Sequence, residues 1–182
     1  VLERALKLGL TLRIRGNPEN PMNNSDEHNF SIYLAVSLWI SSMELSPDRI
    51  TQIVGIEPSY VRVRGTLIPG RGMNRRPEFD VHEWQFREQL SVKPGDYIGD
   101  HSEEFITGFL DKIKDAAPMV KELSENHSVT VSLVYHTREI PNIGLTRQHV
   151  QAIAALGARL DYDIMVESSN SVETEEEISP VE

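Results

Sequence analysis

Between residues 30 and 166 the chain alternates between two hydrophobic periods. In "FSIYLAVSLWIS", Phe30, Ile32, Leu34, Val36, Leu38 and Ile40 fall on one side of an extended strand. Its other side carries Ser31, Tyr33, Ala35, Ser37 and Trp39 and is itself partly apolar, which suits a strand near the middle of a sheet. The period then changes. Ser46 is an N-cap, Pro47 fits the first helical position, and Asp48 complements the positive helix end. Ile50, Ile53 and Val54 form the apolar face of this short helix, with Ile53 expected at its centre. Gly55 supplies a left-handed stop, with Ile56 folding back on the last turn.

"YVRVRG" sets Val61 and Val63 against Arg62 and Arg64, and "FDVHEWQF" is a second extended run. The turn-rich "TLIPGRGMNRRPE" between them predicts a hairpin with a long loop. A helix follows "GDH", where Asp100 and Glu103 have capping-box spacing and Phe105, Phe109, Ile113, Val120 and Leu123 trace a stripe. Pro118 kinks or restarts that helix. "SVTVSLVYH" turns Val129, Val131, Leu133 and Tyr135 inward. "TRQHVQAIAALGA" is a helix with Thr146 as N-cap and Gly157 near its stop. "RLDYDIMV" alternates Leu160, Tyr162, Ile164 and Val166 against Arg159, Asp161 and Asp163.

The order β-α-β-β-α-β-α-β predicts an α/β (α+β) domain: a single mixed sheet with helices mainly on one face. The simplest match is a ferredoxin-like β-α-β-β-α-β core plus an extra α-β unit. A doubly wound nucleotide fold is disfavoured, because the segment after the first strand, "SSMELSPD", lacks the glycines of a phosphate loop.

The ends read differently. "VLERALKLGLTLRIRG" is basic, but it lacks the long apolar core and small-residue cleavage site of a secretory signal, so a short added helix or strand is expected. Val1 in place of an initiator methionine implies processing, trimming or a non-standard start codon, with Met22 as an alternative start. "NPENPMNNSDEHN" has the composition of a linker. "ESSNSVETEEEISPVE" holds six glutamates and no basic residue, which predicts a solvated acidic tail. Residues 1–29 are therefore assigned to an extension and linker, 30–166 to a single domain, and 167–182 to a disordered tail.

Composition narrows the function classes. A chain of 182 residues at 39% hydrophobic content can bury one substantial core. The net charge of −10 disfavours broad nucleic-acid or anionic-membrane binding, although a local basic patch escapes that average. The lack of cysteine rules out disulfides and thiol chemistry and fits a reducing cytoplasm. No apolar run approaches the roughly 20 residues that span a bilayer.

Four stretches together resemble a known family: "LSPDRITQIVGIEPS", "RVRG…PGRG", "WQF" and "GLTRQHVQAIAALGARLDYDI". They are similar to the bacterial domain-of-unknown-function family 4279, most specifically at "GIEPS" and "AALGARLDYDI". The resemblance covers residues 30–166. It implies a compact bacterial α/β domain and carries over no reaction, cofactor or catalytic residue.

Candidate chemistry is sparse. Six histidines are scattered without a metal motif, although Asp80 and His82 would share a strand face. No G-x-S-x-G elbow is present. Asp161 and Asp163 have the spacing of paired carboxylates and equally that of a solvent-facing strand. Trp39, Trp84 and Tyr135 suit a core as well as a pocket. No catalytic residue, metal or cofactor is assigned. The strongest feature is the cluster Arg62, Arg64, Arg71, Arg75 and Arg76, which has no intervening acid and has Gly65, Gly70 and Gly72 nearby. Guanidinium forks engage carboxylate or phosphate bidentately. "GRG" is nevertheless no Walker loop, because neither the lysine nor the following helix is present. The expectation is a noncatalytic interaction module that recognises an acidic protein surface through this loop. The alternatives are a regulator binding a small anion or nucleotide and, third, a metal-assisted hydrolase.

Overall fold

A computed structural model describes residues 32–66, 79–93, 96–137 and 144–166, together with the backbone of 10–16. The linker expected before residue 30 and the acidic tail from 167 lie outside the described residues. The elements are β1 (Leu10–Gly16), β2 (Ile32–Ser42), α1 (Pro47–Val54), β3 (Tyr60–Arg62), β4 (His82–Val92), α2 (Gly99–Ile113), α3 (Ala117–Ser124), β5 (Ser128–Thr137), α4 (Arg147–Ala155) and β6 (Arg159–Val166). A single 3-10 turn, Lys114–Ala116, links α2 to α3, and Pro118 sits in the first turn of α3.

The strands form one mixed sheet in the order β1-β6-β5-β2-β4-β3. β2 lies antiparallel between β4 and β5, β3 pairs antiparallel with β4, and β6 runs parallel to both β5 and β1. β2 and β3 therefore run parallel with β4 between them, and β4 and β5 run parallel with β2 between them. β6, delivered by α4, adds beside β5. Leu10–Gly16 takes the strand alternative and becomes the edge next to β6.

Alternation decides the faces. Leu34, Val36, Leu38 and Ile40 are fully buried, and so are their cross-strand neighbours Val131, Leu133, Tyr135 and Trp84. They share one core with Ile50, Val54, Ile106, Phe109, Ile113, Val120, Leu123 and Ile153 from the four helices, so the helices cover this face. The opposite face is polar, with Ser37, Gln85 and Thr130 buried among half-buried Tyr33, Trp39 and His136.

Local caps mostly follow the chain. Ser46 Oγ accepts from Arg49 N, and Gly55 ends α1 at φ 72°. Thr146 caps α4 through a capping box whose other member is His149, and Gly157 follows that helix at φ 64°. Four details differ from the expectations. Asp100 does not cap α2: the helix begins at Gly99, and Asp100 N and His101 N already donate to Tyr97 O and Ile98 O. Ile106 joins the core, whereas Phe105 is only half buried. The centre of the α1 face is Ile50 at 0% exposure, not the half-buried Ile53. β4 continues through the polar "REQ" to Val92, because pairing with β2 extends to Ile32.

Candidate functional site

The base of the β3–β4 hairpin gathers four of the five exposed large hydrophobics among the described residues, together with Arg62 and Arg64. Along β3, Tyr60 and Arg62 point to one face, and the cross-strand partner of Arg62 is Glu83. The Arg62 guanidinium lies 3.9 Å from the Phe79 ring centroid and 5.6 Å from that of Tyr60. Its Nη1 pairs with Glu83 Oε2 at 3.0 Å, and its Nε donates to Tyr60 Oη at 3.0 Å. Tyr60 in turn meets Trp39 edge to face, with centroids 6.4 Å apart. Arg62 is thus committed to its own chain, by charge, hydrogen bond and ring contact together.

Arg64 is arranged differently. Its backbone N–H donates to His82 Nδ1 at 3.1 Å, and its Nη1 donates to Met43 O, also at 3.1 Å. No carboxylate among the described residues pairs with it, and it is exposed. Arg71, Arg75 and Arg76 lie outside the described residues. Of the five arginines expected to act together, the two that are described have different roles: one braces the hairpin and one keeps guanidinium capacity for an outside acceptor.

The apolar content of this region was not expected. Met43, Tyr60, Val61 and Val63 are 59%, 41%, 45% and 44% exposed, four of the five exposed large hydrophobics among the described residues. Tyr60 and Val61 are uncovered because β3 is an edge strand, paired only with β4; Val63 follows it directly, and Met43 lies in the turn between β2 and α1. Alternation had set Val61 and Val63 apart from the arginines, yet neither reaches the core. Met43 joins the group through its carbonyl bond to Arg64. One signal for it was present: Met43 stands between Ser42 and Glu44 in the turn "SSMELSPD".

The other candidate groups do not assemble into a reaction centre. His82 Nδ1 is occupied by the Arg64 amide, and Asp80 lies before β4 in the chain. Among the described residues no three His, Asp or Glu side chains are placed to hold a metal ion. Asp161 pairs with Arg159 at 3.1 Å, on the polar sheet face that it shares with Asp163. Trp84 and Tyr135 are core residues. Burial raises the pKa of both Tyr135 and Tyr162, so both phenols stay protonated at neutral pH. His149, 3% exposed, has both ring nitrogens engaged. Nδ1 accepts from Thr146 N, which leaves Nε2–H to donate to Thr107 Oγ1 at 2.8 Å, and Thr107 donates onward to Glu103 O. Among the described residues no helix is long and apolar enough to cross a membrane.

With this geometry in place, the family is clear: the chain belongs to the domain of unknown function DUF4279, whose profile matches residues 29–167. Neither the curated proteins nor the solved structures contain a match to it.

Proposed function

Given membership of a family whose description names no reaction, we propose that this protein is a noncatalytic interaction module that holds an acidic partner at the β3–β4 hairpin. One observation carries the reading: exposed Tyr60 and Val61 lie on the two faces of the hairpin's edge strand, and exposed Val63 and Met43 lie beside Arg64, whose charge is not neutralised within the described chain. Partner-binding surfaces combine apolar area that is buried on contact with charges that steer and orient the encounter. The molecule as a whole, at a net −10, repels acidic partners, so a local cationic patch selects where they dock. Arg71, Arg75 and Arg76 belong to the same loop in sequence and add to its charge. The lack of cysteine suits a reducing compartment, and we place the protein in the cytoplasm on that basis.

The test uses a fluorescent glutamate-rich peptide with interspersed leucines, titrated against wild type, Arg64→Gln and the triple variant R71Q/R75Q/R76Q. Both variants should fold normally and bind more weakly. The difference should be greatest at low salt, where the Debye length is about 30 Å at 0.01 M rather than about 8 Å at 0.15 M. Equal affinities and equal salt slopes for all three proteins would reject the reading. Parallel titrations with ATP and with inorganic phosphate distinguish a small-anion or nucleotide regulator: binding of either, without the peptide, would replace the proposal with that one.

A further inference from the structure

A second surface lies in the helical layer, where α1, α3 and the turn after α3 line an open groove of about 360 Å³. Its floor is apolar. Ile53 comes from the half-buried flank of α1, and Met119 and Leu123 come from successive turns of α3. Its rim carries both signs of charge. Arg49 stands one turn before Ile53 on the same flank of α1, and Glu122 stands on α3. Arg49 spends one nitrogen on Gln52 Oε1 at 3.0 Å. Neither Arg49 nor Glu122 has an ion-pair partner among the described residues, and they do not pair with each other. The turn after α3 completes the rim with Asn126 and His127, both held by backbone bonds from their N–H groups to Leu123 O, at 3.2 and 2.9 Å.

Two opposite, unneutralised charges on either side of an apolar floor define a ligand. A carboxylate fits the guanidinium fork of Arg49, an ammonium fits Glu122, and an aliphatic body fits Ile53, Met119 and Leu123. The volume lies at the low end of the range for ligand sites, which restricts the occupant to something of amino-acid size. We propose that the groove between α1 and α3 binds a free apolar α-amino acid as its zwitterion, a site separate from the hairpin. Glu122 makes the amine necessary, since its carboxylate opposes a ligand that is only an anion. Arg49 makes the carboxylate necessary by the same reasoning.

The experiment is a heteronuclear NMR titration of the full chain with L-leucine, glycine, 4-methylpentanoate and isoamylamine. Leucine should give saturable shifts at the amides of Ile53, Met119, Leu123 and Asn126. Each of the other three ligands lacks one recognition element and should bind at least about tenfold more weakly, the loss expected for one charge-assisted contact in 4-methylpentanoate and isoamylamine and for the missing aliphatic body in glycine. Arg49→Gln and Glu122→Gln change exposed side chains and should leave the fold intact. Each should weaken leucine about tenfold. R49Q should leave or strengthen the weak isoamylamine binding, and E122Q should leave or strengthen that of 4-methylpentanoate. No saturable shift with leucine up to about 10 mM overturns the proposal. So does equal affinity for leucine and its truncated analogues, or wild-type leucine binding by both variants. None of these results bears on peptide binding at the hairpin, so the two proposals fail independently.

Discussion

Gly55 and Gly157 provide a matched pair for measuring a contact between helices. Both adopt left-handed backbone, at φ 72° and φ 64°. An alanine in that conformation costs roughly 1–2 kcal/mol, since its Cβ crowds the following carbonyl. Their surroundings differ. A Cβ on Gly55 meets nothing within 4 Å, whereas one on Gly157 lies 2.2 Å from Ser124 Oγ and 3.1 Å from Ser124 Cβ. Ser124 can clear the space only by rotating its hydroxyl away from Lys121 O, to which it now donates at 2.6 Å. Giving up that bond adds about 1 kcal/mol. Gly55→Ala should therefore cost about 1–2 kcal/mol and Gly157→Ala about 2–3 kcal/mol. Urea unfolding followed by the fluorescence of Trp39 and Trp84 measures both, provided the m-values agree. In a Ser124→Ala background the extra cost of Gly157→Ala should fall to a few tenths of a kcal/mol, left by the Cβ contact. Equal costs at the two glycines, or an excess that survives Ser124→Ala, would refute the close approach of α3 and the turn after α4.

Ile50→Asp should cost several kcal/mol or abolish folding, since a carboxylate replaces a fully buried side chain, while Ile53→Asp on the half-buried flank should cost markedly less; comparable melting of the two variants would mean the α1 face is wrongly assigned. A double-mutant cycle on Arg62 and Glu83, whose side chains are 30% and 20% exposed, should return a coupling of about 0.5–1 kcal/mol, whereas Arg64→Gln should stay within about 0.5 kcal/mol of wild type. Burial holds the pKa of His149 below its ordinary 6.5 despite the opposing Glu103 charge, so its contribution is complete above pH 6.5 and declines as pH falls towards the folded-state value. The stability gap between wild type and His149→Gln should accordingly narrow between pH 7.5 and 5.5, and a constant gap in urea midpoints would disprove the neutral-tautomer assignment. Residues 30–166 alone should keep a cooperative thermal transition, since β1 contributes only an edge strand beside β6; loss of that transition would place β1 within the minimal folding unit.

What the chain determines by itself is what neighbouring residues can enforce. The period-two runs of β2 and β5 specify which side chains point inward, because side-chain direction alternates along any extended backbone. Ser46, Pro47 and Gly55 delimit α1, and Pro118 restarts the helix after Ile113, because caps and φ restrictions act within one or two turns. The five arginines of the hairpin were likewise legible as a cationic segment. Their division of labour was not. Arg62 and Arg64 alternate identically in sequence, yet Arg62 meets Phe79 and Glu83 and Arg64 reaches back to Met43. Those partners lie some twenty residues away along the chain, and only the β3–β4 and β2–β4 pairings bring them close. Strand order likewise left β3 at an edge, exposing Val61 and Val63, whose alternation alone would have suited a buried face. The groove joining Arg49 to Glu122 has no sequence signal at all. Each residue reads as an ordinary exposed helical charge until the packing of α1 and α3 on one sheet face places both on the same apolar floor. Periodicity is a property of neighbours, and a site is a property of distant segments held together by a shared core.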